Sequence, residues 1–203
     1  GYGRNLSQIH ELNMRELSLN VMDIAQNSIT ADASLIEITV SEDTHAQTLV
    51  IKIKDNGKGM TAQQTQQVLD PFYTTRTTRK VGLGIPLFKM AAEQTGGNLT
   101  IVSHKGAGTT VNAVFHTGHV DMTPLGDINS TISILIRCNP DIDFCFIHKA
   151  DNAQFMLDTR QLREILGPDV ALDTPDVMEW VNGFLAEQTQ ILYGGATPDE
   201  ITG

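Results

Sequence analysis

Between residues 35 and 115, apolar side chains recur at every second position in four short runs, which confines this stretch to a sheet with one buried face. Ile36, Ile38 and Val40, then Val50 or Ile51 with Ile53, read as strands 35–40 and 49–54 of an antiparallel hairpin. Residues 99–103 and 110–115 read as a second hairpin across Gly106-Ala107-Gly108. A sheet of this kind must be covered, and two helical patterns are there to cover it. Residues 14–29 place Leu17, Val21, Ile24 and Ser28 on one stripe at about 100° per residue, widened by Met22, Ala25 and Ile29. Gly84-Ile85-Pro86 opens a second helix, because proline in the first turn loses no hydrogen bond, and Gly96-Gly97 closes it. The fold class is α+β, a two-layer α/β sandwich on a mixed, largely antiparallel sheet.

The pattern changes after residue 116, where Gly118, Pro124 and Gly126 mark a junction. We expect one domain over 1–118 and a smaller α+β C-terminal extension over 119–203, serving a partner or dimer contact. In that extension residues 128–138 fit helix or strand, and 144–147 with 154–157 form a hairpin around Asp151-Asn152. Thr159 caps a short helix through 165, and Thr174-Pro175 opens a longer one through 192. Met178, Trp180, Val181, Phe184 and Leu185 are its bulky residues and read as core or as partner-facing surface. Residues 61–80 are polar and rich in Thr and Gln, the composition of a mobile flap.

Charge narrows the function. Fourteen Lys and Arg against 24 Asp and Glu give a net charge of -10, which excludes nucleic acid and anionic membranes as general partners. Any polyanion must be small and chelated locally. No run approaches the roughly 18 apolar residues of a membrane span, and residues 1–10 lack a signal-peptide core. Cys138 and Cys145 are not spaced as a redox pair and read as free, partly buried thiols, so a cytoplasmic location is expected. His45, His104, His116, His119 and His148 show no metal spacing.

Three elements carry chemistry. Glu16, Asn20, Asp23 and Asn27 form a polar stripe beside the apolar one on the first helix, so Asp23 and Asn27, one turn apart, can reach a single point. An amide oxygen at Asn27 suits Mg²⁺, and a carboxylate at Asp23 could hold or deprotonate a water attacking a phosphate. Asp55-Asn56-Gly57-Lys58-Gly59-Met60 ends a strand with a carboxylate able to accept from an exocyclic amine, and its glycines leave room for a ring; the same string is also an ordinary turn. Val81-Gly82-Leu83-Gly84-Ile85 sits at a helix start, where unpaired amides and the dipole attract phosphate oxygens. It matches neither the GxxxxGK[ST] phosphate loop nor the dinucleotide fingerprint.

Taken in order, these residues resemble the ATP-binding fold shared by DNA gyrase, the heat-shock chaperone of the same group, histidine kinases and the mismatch-repair protein MutL. Asp23-Ile24-Ala25-Gln26-Asn27 with the following 28–33 looks like the N box, and Asp55 to Gly59 resembles the first glycine box. Pro71-Phe72-Tyr73-Thr74-Thr75 is similar to the phenylalanine box of histidine kinases. Gly82-Leu83-Gly84 resembles the second glycine box, and Gly106-Ala107-Gly108-Thr109-Thr110 the closing glycine-threonine motif. The resemblance covers residues 14–116 and implies a Bergerat-type fold binding ATP with Mg²⁺. Under it Asn27 ligates the metal, Asp55 reads the adenine amine, Gly57 and Gly59 shape the adenine pocket beside Met60, and Thr109 assists through water. Gly82, Leu83 and Gly84 offer amides to the phosphates, and Thr74, Thr75, Arg76, Arg79 and Lys80 form a lid.

Two departures temper the activity. Hydrolysing members use glutamate where this chain has the shorter Asp23, so slow turnover is expected. No helical hairpin bearing a phosphoacceptor precedes the N box, and His10-Glu11 reads as surface, so autophosphorylation in cis is not expected. The function expected is Mg-dependent ATP binding with slow hydrolysis, or kinase-like phosphotransfer to a partner protein in a bacterial-type signal-transduction system. The alternative is a nucleotide-gated interaction module that binds ATP without appreciable turnover, with a homodimer as another use of the tail.

Overall fold

The computed structural model of the chain describes residues 16–72 and 83–195. Helix α1 (Leu17–Thr30) precedes the hairpin β1 (Leu35–Asp43) and β2 (Thr48–Asp55) and a short helix α2 (Ala62–Val68). Helix α3 (Gly84–Gln94) and the hairpin β3 (Asn98–His104) and β4 (Gly108–His116) follow. The tail contributes α4 (Ile128–Cys138), β5 (Asp143–Ala150), β6 (Ala153–Asp158), α5 (Thr159–Leu166) and α6 (Pro175–Leu192). The six strands form one sheet in the order β3-β4-β2-β1-β5-β6. β1 and β5 run parallel and every other pair is antiparallel, so the sheet is mixed and largely antiparallel as the alternation requires.

The period-2 pattern selects the buried face. Ile36, Ile38 and Val40 of β1 and Leu49, Ile51 and Ile53 of β2 are buried, whereas Lys52 and Lys54 point to the other side and are exposed. The helices close this face, with α1 packed against α3 on one side and α4 on the other, and α6 against α4. Whether the tail shares the core was open from sequence. Its strands extend the sheet in register from Leu35 opposite Asp143 to Glu42 opposite Ala150, and Phe144, Phe146 and Leu185 belong to the same buried cluster as Leu17, Ile38 and Phe88.

Several local readings change. The first helix begins at Leu17 and runs to Thr30, with residues 14 and 15 outside the described residues. It has no side-chain cap. The amides of Leu17 and Ser18 donate instead to the carbonyls of Pro124 and Leu125 at 2.9 Å each, and the Glu16 carboxylate accepts from the Ser18 hydroxyl and the Asp127 amide at 3.2 Å each. Residues 62–68, within the expected flap, are a helix closed by a Thr61–Gln64 capping box. Residues 128–138 are a helix whose cap, Asp127, accepts from the Ser130 amide and hydroxyl. Those two donors hold the Asp127 carboxyl below the usual range despite some burial.

Asp158, not Thr159, caps α5. Its carboxylate accepts from the Arg160 amide, while the buried Thr159 hydroxyl donates to Asp143 and accepts from the Phe144 amide. Cys138 is exposed and only Cys145 is buried. Of the bulky residues of α6, Met178, Val181 and Leu185 face the core, but Trp180 stands 51% exposed.

Candidate functional site

The end of β2 is held open by fixed backbone. Asn56 supplies the fastening: its side-chain oxygen accepts from the Ser34 and Leu35 amides at 2.9 and 3.0 Å, and its amide donates to the Ser34 hydroxyl at 2.9 Å. The Lys58 amide donates to the Ala31 carbonyl at 2.8 Å, and the Met60 amide to the Ser103 hydroxyl at 2.8 Å. The loop after β2 therefore lies wedged between the end of α1 and the β3–β4 hairpin. Gly59 has φ +67°, and a Cβ there would fall 2.0 Å from the His104 carbonyl oxygen; at Gly57 a Cβ would meet the Ala31 carbonyl oxygen at 2.7 Å. Only glycine permits this approach.

The wedge leaves a cavity of about 360 Å³, within the range of small-molecule sites. Its walls are apolar: Ile24 of α1, Ile53 of β2, Met60, Val68 of α2, Ile85 of α3 and Val111 of β4. Asp55 lies among them, 9% exposed, fixed by two donors: the Ser28 hydroxyl at 2.6 Å to Oδ2 and the Gly57 amide at 2.9 Å to Oδ1. A carboxylate offers about four acceptor sites, so these bonds fix its plane and leave capacity for a further donor. Thr109 lines the cavity with its hydroxyl 2.7 Å from that of Ser103.

Of the residues singled out from sequence, Asn27, Asp55, Gly59, Met60 and Thr109 line this one cavity. Gly57 is not among the lining residues and acts on the site through its amide bond to Asp55. Asp23 and Gly84 meet beside it: a Cβ on Gly84 would lie 3.1 Å from the Asp23 Cβ, so the start of α3 packs against α1 one turn before Asn27. Neither they nor Leu83 appear among the described lining residues, and Asp23 is exposed. Leu83 stands at the cap of α3 and makes no side-chain cap hydrogen bond. Thr74, Thr75, Arg76, Arg79, Lys80 and Gly82 lie outside the described residues.

Asn27 is half-buried at the cavity and makes no side-chain hydrogen bond to a described residue. Among the described residues no group of three or more His, Cys, Asp or Glu could hold an ion. A single neutral oxygen suits a magnesium ion that takes its other ligands from phosphate and water, and does not suit an all-protein metal cage. Sequence reading missed Ser28, whose place in the apolar stripe hid its hydroxyl, and Lys58, whose exposed side chain stands at the cavity. Ser28 directly follows Asn27 and shares the buried stripe with Ile24, a signal that a buried hydroxyl needs a partner.

An apolar slot with a clamped carboxylate at its edge has the form of a small-molecule site. The chain belongs to the histidine kinase-, DNA gyrase B- and HSP90-like ATPase family, whose model matches residues 11–119. It is 39% identical over 79 residues to the sensor protein SrrB of Staphylococcus aureus strain NCTC 8325 / PS 47, and equally so to that of strain COL. That match covers 36% of this chain and 14% of the relative, so the chain spans a small part of that protein's length. The fold is also similar to the crystal structure of the N-terminal domain of a DNA repair protein, with TM-score 0.52 and 15% identity, over 70% of this chain and 52% of that one. No helix of the described residues is long and apolar enough to cross a membrane.

Proposed function

We propose that the chain binds ATP together with Mg²⁺ in this cleft and either transfers its terminal phosphoryl group slowly to a partner protein or hydrolyses it slowly. The observation that carries the reading is Asp55: a buried carboxylate, fixed by Ser28 and Gly57, keeps acceptor capacity at an apolar-walled cavity of about 360 Å³. In this reading Asp55 accepts from an exocyclic ring amine, Thr109 supports the same edge through water, and Ile24, Ile53, Ile85 and Met60 cover the ring faces. Asn27 carries the metal, whose chemistry is to neutralise phosphate charge. The amides at the start of α3 bind phosphate oxygens, aided by the Gly82 to Gly84 turn and the cations of residues 74–80.

Asp23 favours a second reading. It stands beside Gly84 at the start of α3, but its carboxylate is one methylene shorter than a glutamate's and reaches less far toward an attacking water, so a nucleotide-gated interaction module with little turnover also fits. Incubation with γ-labelled ATP and Mg²⁺ separates the two. Free phosphate lost in Asp23→Asn supports hydrolysis, label appearing on an added partner supports transfer, and retained ATP supports the module. Calorimetry that registers no adenine-nucleotide binding, or an Asn27→Ala variant that holds Mg-ATP as well as the native chain, overturns the site assignment.

A further inference from the structure

The outward face of α6 combines three features that the fold does not use. Trp180 is stacked on Phe184, ring centroids 5.1 Å apart and 16° from parallel, and Phe184 is braced edge-on by Phe155 at 6.3 Å. The indole is thus held rigidly on an aromatic pedestal yet remains half exposed. Three residues further along the same face is Gly183, exposed and mid-helix, with no atom of the described residues within 4 Å of where a Cβ would stand. A glycine there weakens the helix without relieving any contact in the fold, and its remaining use is to let another backbone come close. Asp176 and Glu187, four positions before and seven after Trp180 on the same helical face, are exposed, and from residue 164 to the C-terminus the sequence has no Lys or Arg.

We propose that this face of α6 is a docking site for a basic segment of a partner protein, with an arginine lying on Trp180 and the segment's backbone seated at Gly183. A guanidinium over an indole ring is favourable by itself, and the neighbouring carboxylates add attraction. Nucleic acid and anionic lipid are repelled by the same charge. The inference does not rest on the nucleotide reading, because α6 is separated from the cleft by α4 and α1.

Trp180 is the single tryptophan, so its emission reports the site directly in the full chain. Titration with an arginine nonapeptide is expected to change that emission and to weaken as salt rises. Gly183→Leu, which fills the notch with a better helix former, is expected to weaken binding about tenfold without loss of fold. Trp180→Ala, followed by calorimetry, should do the same, whereas Glu93→Gln on α3 should leave affinity unchanged. Equal affinity for all three variants means diffuse charge attraction and overturns the proposal. So does absence of binding, or a sedimentation profile in which the native chain self-associates through this face and Trp180→Ala restores the monomer. ATP affinity measured on the same variants should not move, which separates this test from that of the cleft.

Discussion

The two ends of β1 are finished in opposite ways. At its start, Ser34 and Leu35 are tied through Asn56 to a glycine-bearing loop, and the fixed backbone keeps a cavity open beside Asp55. At its far end, Glu42 is closed into the tail. One carboxylate oxygen accepts from the buried His148 Nε2 at 2.8 Å and from the Tyr193 hydroxyl at 2.6 Å, with Phe146 and Phe155 packed around the histidine ring. Burial pushes the Glu42 carboxyl up, but the bonds from His148 and Tyr193 outweigh it and hold it below the ordinary range. Burial and the bond to Glu42 push the Tyr193 hydroxyl upward. An ionised Glu42 can only accept, so Nε2 carries the proton toward it, and Nδ1 is left buried with no hydrogen-bond partner among the described residues. Both ends centre on a carboxylate held by two donors; the first borders a cavity, and the second is packed against the His148 ring and Tyr193.

This contrast can be broken most strongly at Gly59. A side chain there must overlap the His104 carbonyl, so Gly59→Ala should lower stability by about 3 kcal/mol and the melting temperature by roughly 6–12 °C, with ATP binding lost together with the loop. Differential scanning calorimetry would show it, and an unchanged transition would mean that the loop is not wedged.

Asp55→Asn tests the open end alone. The variant should fold with nearly the native melting temperature but bind ATP about a hundredfold more weakly, because one acceptor oxygen becomes a donor in a buried site. A titration giving native affinity would remove Asp55 from the site. Ser28→Ala should cost about tenfold in the same titration, since it frees the carboxylate plane without removing the charge.

The closed end should give the smallest effect, and one that depends on pH. The folded-state value of Glu42 is depressed, so its contribution is fully present above the ordinary carboxylate range and disappears as pH falls through the lowered value. The melting temperature of Glu42→Gln should therefore lie below native at neutral pH and converge with it in acid, with ATP affinity unchanged throughout. A gap between the two that stays constant from neutral to acid pH would show that the carboxylate's charge is not what holds the tail.

How far the sequence carried each end follows from the range of the interactions. Asp55 with its glycines, Asn27 one turn after Asp23, and the Thr109 motif were visible because each is a local string with its own backbone chemistry. Ser28 was not, because its partner lies 27 positions away and its hydroxyl fell within an apolar stripe. The Glu42, His148 and Tyr193 cluster spans 151 positions and left no local trace. Residues 128–138 read both ways because Ile132, Ile134 and Ile136 alternate while Ile128, Ile132, Leu135 and Ile136 keep helical spacing; packing between α1 and α6 selects the helix and leaves Ile134 exposed.

The sequence by itself determined the alternating strands, the amphipathic helices and the ordered glycine motifs, since these depend on side-chain period and backbone freedom within a few residues. Only the tertiary structure decided that the tail's β5 lies parallel against β1 and that one sheet and one core run across residue 118. It also decided that Trp180 faces outward instead of inward. Parallel pairing and helix rotation are chosen by packing among distant segments, where many registers satisfy the same local pattern and burial selects between them.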